Sequence, residues 1–211
     1  MELINLIFFA VILINFFTLG SERLGACVRV VAVQGALLAL LPLATHGATF
    51  HATLLALGAF SFKGVIIPWL LLKAIRKVRI RREVEPLVGF VPTMILGALF
   101  TSVTFLYADL LPLIYEHHAG LYVPTALVTI FTGFLLLITR RKAITQVLGY
   151  LVMENGIFIF GVLLSEALPL MVEAGVLLDL LVGVFVMGIV IDQISREFST
   201  LNTERLSALK E

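Results

Sequence analysis

Charge is scarce in this sequence. Asp, Glu, Lys and Arg make up 14% of its 211 residues, against roughly 25% in soluble domains. There is one cysteine, Cys27, so an internal disulfide is excluded and a thiolate metal site has no companions. No ten-residue alternation of apolar and polar positions recurs, which argues against a membrane β-barrel. A Gly-rich phosphate loop, Cys-x-x-Cys, His-Glu-x-x-His and a nucleophile with a plausible base are all missing. No His pair sits at helical spacing in an apolar run, so no haem is expected. Nothing combines basic and aromatic residues, so no nucleic-acid partner is expected. The chain opens Met1-Glu2, with neither a basic leader nor a small-residue cleavage site. Its first apolar run is therefore expected to be a span rather than a signal peptide.

What the sequence does have is apolar runs. It is 60% hydrophobic, with a mean hydropathy of +1.09. Runs of about 20 residues recur along its length, each long enough to cross a bilayer as a helix. The expected fold is all-α, a polytopic transmembrane helical protein in a lipid bilayer. Seven spans are predicted, near residues 3–19, 24–44, 51–72, 87–107, 121–139, 143–164 and 171–191. Short loops should pack neighbours antiparallel. Pro68, Pro92 and Pro124 fall within spans and predict local kinks.

The few charges are sorted by sign. Arg23 follows the first span, and Lys73, Arg76, Lys77, Arg79, Arg81 and Arg82 follow the third. Arg140, Arg141 and Lys142 follow the fifth, and Arg196, Arg205 and Lys210 lie in the tail. With seven spans, all these segments share one face. The other face has Glu2, Asp109, Glu116, Glu166 and Glu173, with His46, His117 and His118. The positive-inside rule then puts the N-terminus outside and the C-terminus in the cytoplasm. Six or eight spans would scatter the positive charges over both faces.

A shift of about 120 residues lays the first three spans over the last three. It aligns Gln34-Gly35 with Asn155-Gly156, and Gly64 near Gly183. The expected organisation is a 3+1+3 parallel repeat. Residues 1–84 form a three-span unit with a basic loop, 85–120 a linking span and external loop, and 121–211 a second three-span unit with a tail. Chance alignment of two apolar triplets is the competing explanation.

Three ionisable residues lie deep in this apolar sequence. Glu154 is about 11 residues, roughly 16 Å, into the sixth span. Asp179 is near the middle of the seventh, and Lys63 is too deep in the third to snorkel easily. Counted from the cytoplasmic ends, all three sit about 10 to 13 residues deep. Gln34 and Asn155 are neutral companions. An ionised group in hydrocarbon is expensive, so such residues mark function by default. Two acids and a lysine at exchange distance would titrate together, as a proton relay requires. The alternative is a buried ion pair that fixes helix register. Arg29 is expected to anchor at headgroups, and His117-His118 beside Glu116 to be a solvated loop. The basic cluster from Lys73 to Arg82 follows from topology alone.

The motif Gly149-Tyr150-x-x-Met153-Glu154-Asn155-Gly156, then Glu173-x-Gly175, Asp179 and the tail Leu201-x-x-x-x-Leu206-x-Ala208-Leu209-Lys210 resembles hydrogenase-4 component E. The resemblance extends to Lys63 followed by Pro68. The last three spans are also similar to the K-type subunit of respiratory complex I and to the C-type subunit of multi-subunit cation/proton antiporters. Asp179, followed by Gly183, matches the third-helix acid of those subunits. Their second-helix acid would fall near Leu151, one turn from Glu154.

The resemblance implies a multi-pass, non-catalytic subunit in a prokaryotic cytoplasmic membrane, within a group 4 nickel-iron hydrogenase complex of formate hydrogenlyase type. Its partners would be antiporter-like membrane subunits and a hydrogenase arm. Nickel-iron and iron-sulfur centres would reside in those partners, with no cofactor in this chain. Glu154, Asp179 and Lys63 would contribute to a midplane row of charges coupling electron transfer to proton or sodium movement. A passive assembly scaffold is the second expectation. An independent carrier is the third, and lacks a broken helix to form its substrate site.

Overall fold

A computed structural model describes residues 2–77, 87–107, 120–140, 143–164 and 188. Eight α-helices and one π-helical segment account for nearly all of the described residues. They are α1 (Glu2–Gly20), α2 (Leu24–Leu38), α3 (Leu41–His46) and α4 (Phe50–Ala59), then a π segment (Phe60–Ile66) running into α5 (Ile67–Lys77). The remainder are α6 (Phe90–Tyr107), α7 (Tyr122–Thr139) and α8 (Ala143–Leu164). Among the described residues, six helical stretches are long and apolar enough to cross a membrane. They coincide with the first six expected spans. The seventh, with Asp179, lies outside the described residues.

Proline positions explain the departures from simple helices. The second span breaks at Ala39-Leu40, where Leu40 N–H turns back to the Leu37 carbonyl at 3.1 Å. Pro42 has no N–H to continue the α ladder, so a new helix starts at Leu41. Gly47 (φ 67°) reverses the chain, and the Thr49 side chain caps α4 by accepting from Ala52 N–H at 3.2 Å. Pro92 and Pro124, for which local kinks were expected, interrupt neither helix. Each lies in the first turn of α6 or α7, where backbone N–H groups have no helical partner and a missing one costs nothing. Pro68 acts differently. Its ring needs room from the carbonyl four residues back, and the turn before it is wide. Ile67 N–H reaches five residues back, to the Phe62 carbonyl.

Two apolar cores hold the bundle. One joins Leu19, Leu24, Val28 and Val31 to Ile67, Leu71, Leu148 and Leu151, toward the end carrying the basic residues. The other joins Phe8, Val11, Leu38 and Leu41 to Tyr122, Ala126 and Ile159. On α1, α2, α7 and α8 a buried polar residue falls between the two cores in sequence: Asn15, Gln34, Thr129, and the pair Glu154-Asn155. A polar layer thus crosses the bundle between two oily ones.

Candidate functional site

Among the described residues, the polar layer contains one buried ion pair. Lys63 Nζ lies 2.8 Å from Glu154 Oε1, and the two side chains are 4% and 3% exposed. Lys63 sits within the π segment, whose wide turn is a feature frequent at functional sites. Its ammonium also lies over the Phe158 ring, 4.6 Å from the centroid, one turn along α8 from Glu154. A desolvated cation gains up to about 2 kcal/mol from such a face. Glu154 Oε2 has no hydrogen-bond partner among the described residues.

Glycine lets the lysine in. At Gly35 of α2 a β-carbon would lie 2.7 Å from Lys63 Cβ, so only glycine permits this approach. Gln34, beside it, is completely buried. Its Nε2 donates to Asn15 Oδ1 at 3.0 Å, and its Oε1 accepts from Asn155 Nδ2 at 3.4 Å. Asn15 Nδ2 donates onward to Thr129 Oγ1 at 2.8 Å, which donates to the Thr125 carbonyl at 2.6 Å. One chain of hydrogen bonds therefore links α8, α2, α1 and α7, starting at the residue next to Glu154.

The structure brings Lys63, Glu154, Gln34 and Asn155 together. Asp179 lies outside the described residues. Sequence reasoning missed Asn15 and Thr129. Asn15 carried a usable signal, an amide inside Leu13-Ile14-Asn15-Phe16-Phe17. Thr129 carried none, because threonine is common in apolar helices. Replacing Asn15 with leucine should orphan Gln34 Nε2 and lower stability by about 1–3 kcal/mol. Thermal unfolding in detergent checks this, with Asn5→Leu, at an exposed position, expected to change nothing.

Arg140 was counted with the loop charges, yet it is 1% exposed. Its Nη2 donates to the Leu19 carbonyl at 2.7 Å, closing the C-terminus of α1. Its guanidinium lies 4.4 Å from the Phe90 ring centroid. Its Nε and Nη1 have no acceptor among the described residues. Burial lowers its pKa from the ordinary value, with the Cys27 sulfur acting the other way. A guanidinium nevertheless stays charged in proteins.

With this geometry in place, comparison with known proteins is informative. Residues 121–211 match the model of the family NADH-ubiquinone/plastoquinone oxidoreductase chain 4L. The match covers α7, α8 and all that follows them. An uncharacterised protein of Mycobacterium tuberculosis is 29% identical over 203 residues, covering 95% of this chain and 92% of that one. Hydrogenase-4 component E of Escherichia coli is 36% identical over 78 residues, which are 37% of this chain and 36% of that one. The component E of Shigella flexneri matches to the same extent. No solved structure matches. This is a multi-pass helical membrane protein related to hydrogenase-4 component E, with a chain 4L-like C-terminal part.

Proposed function

We propose that this chain is a non-catalytic membrane subunit of a group 4 nickel-iron hydrogenase complex, of the hydrogenase-4 or formate hydrogenlyase type. In that role it couples redox chemistry elsewhere in the complex to proton or sodium translocation. Antiporter-like subunits and a hydrogenase arm are its partners, and the nickel-iron and iron-sulfur centres belong to them. Relatedness to an oxidoreductase chain and to a hydrogenase component supports the setting.

The observation that carries the coupling role is the Lys63–Glu154 pair at 2.8 Å. A lysine and a carboxylate held together away from water each depend on the other's charge. A change in one shifts the protonation of the other. Asp179 would be the next acid in the row. Within an assembled complex, Glu154→Gln keeps the size of the side chain and leaves an oxygen for Lys63. Assembly is expected to survive and ion pumping to be lost, measured as proton or sodium uptake by inverted vesicles during redox turnover. Intact pumping by that complex would sink the proposal.

A scaffold role is the second reading. The amide chain Asn155–Gln34–Asn15–Thr129 favours it, because fully paired buried polar networks fix helix register. In that case Glu154→Gln would lower recovery of the assembled complex instead of its pumping.

A further inference from the structure

Helix α5 has two unlike faces. Ile67 and Leu71 are buried in the apolar core, with Leu72 and Ile75 packed against it. Trp69, Lys73 and Arg76 are exposed, and at spacings of four and three residues they line one side of the helix. One turn deeper in the membrane, Val65 and Ile66 are exposed too. Topology accounts for the sign of the two charges but not for the direction Lys73 takes. A lysine near a membrane surface ordinarily extends its ammonium toward water. Arg29 does the equivalent on α2, its Nε donating to the Gly25 carbonyl at 3.0 Å, one turn nearer the basic end. The Lys73 ammonium turns the other way and lies over the Trp69 ring, 4.7 Å from its centroid. A cation is thereby held at the depth of a tryptophan, a residue that favours the headgroup level of a bilayer. Among the described residues, neither Lys73 nor Arg76 forms an ion pair.

We propose that Trp69, Lys73 and Arg76 seat the phosphate headgroup of one anionic phospholipid. With the positive-inside assignment, that lipid belongs to the cytoplasmic leaflet. Its acyl chains lie along Val65 and Ile66, the indole meets its glycerol level, and the ammonium and guanidinium take its phosphate oxygens. Lys73 supplies a point charge and Arg76 a planar fork of donors. Two cations without an acidic partner favour a lipid of net negative charge. A choline headgroup would bring a cation of its own to the same place. Anionic surfaces attract basic residues in general; the particular feature here is an ammonium fixed over a ring at headgroup depth, with a guanidinium beside it on the same face. The seat needs only the membrane setting and stands apart from the coupling role.

Trp69 is the only tryptophan of the chain, so its fluorescence reports on this seat alone. The test reconstitutes the full chain in phosphatidylcholine vesicles containing increasing fractions of acyl-brominated phosphatidylglycerol or, separately, of acyl-brominated phosphatidylcholine. Bromine quenches an indole only at close range. The anionic lipid should half-quench Trp69 at a mole fraction roughly tenfold lower than the zwitterionic one, and Lys73→Gln or Arg76→Gln should each cut that preference about fivefold. Each variant is judged against its own quenching by the zwitterionic lipid, which cancels any change in indole brightness. Arg23→Gln is the control. It removes the same charge from another exposed position at the basic end, where the side chain makes no capping bond, and should leave the preference intact. Should one α5 variant fail to fold, the other carries the same comparison. Equal quenching by the two lipids would overturn the seat and leave these cations to an acidic protein segment. A preference unchanged in the folded α5 variants would overturn it as well. So would an equal loss in Arg23→Gln, because the attraction would then belong to the basic surface as a whole.

Discussion

Gly133→Val is expected to leave almost no folded chain in the membrane. A β-carbon at Gly133 would stand 2.5 Å from both the backbone nitrogen and Cβ of Met153, and 2.6 Å from the Gly149 carbonyl oxygen. None of these is the far end of a flexible side chain, so the helices themselves must part. Gly149 and Gly156 answer from α8, where a β-carbon would meet Gly133 O at 3.0 Å and Ala126 O at 2.8 Å respectively. Small residues let helix backbones meet in this way, and in lipid such packing is a main force of association. Overpacking a core costs about 1–3 kcal/mol when side chains can yield, and more when backbones must. Gly133→Ala should cost roughly 2–3 kcal/mol and valine should exceed what the fold tolerates. Fluorescence-detected size exclusion of detergent extracts is the check. Gly58→Ala is the control, since nothing among the described residues lies within 4 Å of that position. A monodisperse Gly133→Val peak of normal height would contradict the packing.

The second large effect is expected at Lys63. Lys63→Met keeps much of the side-chain length and removes the charge, leaving the buried Glu154 carboxylate without its ammonium. Breaking a buried pair from one side costs about 3–5 kcal/mol, unless the carboxylate takes up a proton first. Either outcome is measurable. Thermal unfolding should show the loss near neutral pH, and lowering the pH should relieve it, because a protonated Glu154 carries no unpaired charge. Adding Glu154→Gln to Lys63→Met should recover much of the stability. A double-mutant cycle should therefore give a coupling energy of about 1–3 kcal/mol or more. Simple additivity of the two changes would mean that the 2.8 Å contact contributes nothing.

Much of this arrangement was legible before any coordinates. Length and hydropathy located the spans because a bilayer fixes how long an apolar helix must be. The cost of charge in hydrocarbon singled out Lys63 and Glu154, and their similar depth placed them in one layer. Depth could not supply the contact, since helices at one depth can face any direction. The π turn was invisible for a related reason. Its extra residue changes the ladder without changing composition, and Phe60-Ser61-Phe62-Lys63-Gly64 satisfies an α pattern as well. Pro42 was hidden inside an unbroken apolar run, so α2 and α3 were predicted as one span. Arg140 misled most, because a basic residue just past a span is ordinarily a topology signal. Its burial depends on Leu19, more than a hundred residues away in sequence, and no local pattern encodes that.

The glycine seam also decides where the bundle can give. Backbones in direct contact at Gly133, Gly149 and Gly156 leave no layer of side chains to shear, so α7 and α8 form a stiff plate. Glu154 and Asn155 belong to that plate, and Thr125 and Thr129 ride on it with them. Lys63 is mounted on a turn that is already wider than an α-helix. If the proposed coupling separates the ion pair, the acid is expected to stay with the plate and the wide turn that carries Lys63 to be where the change in backbone is taken up.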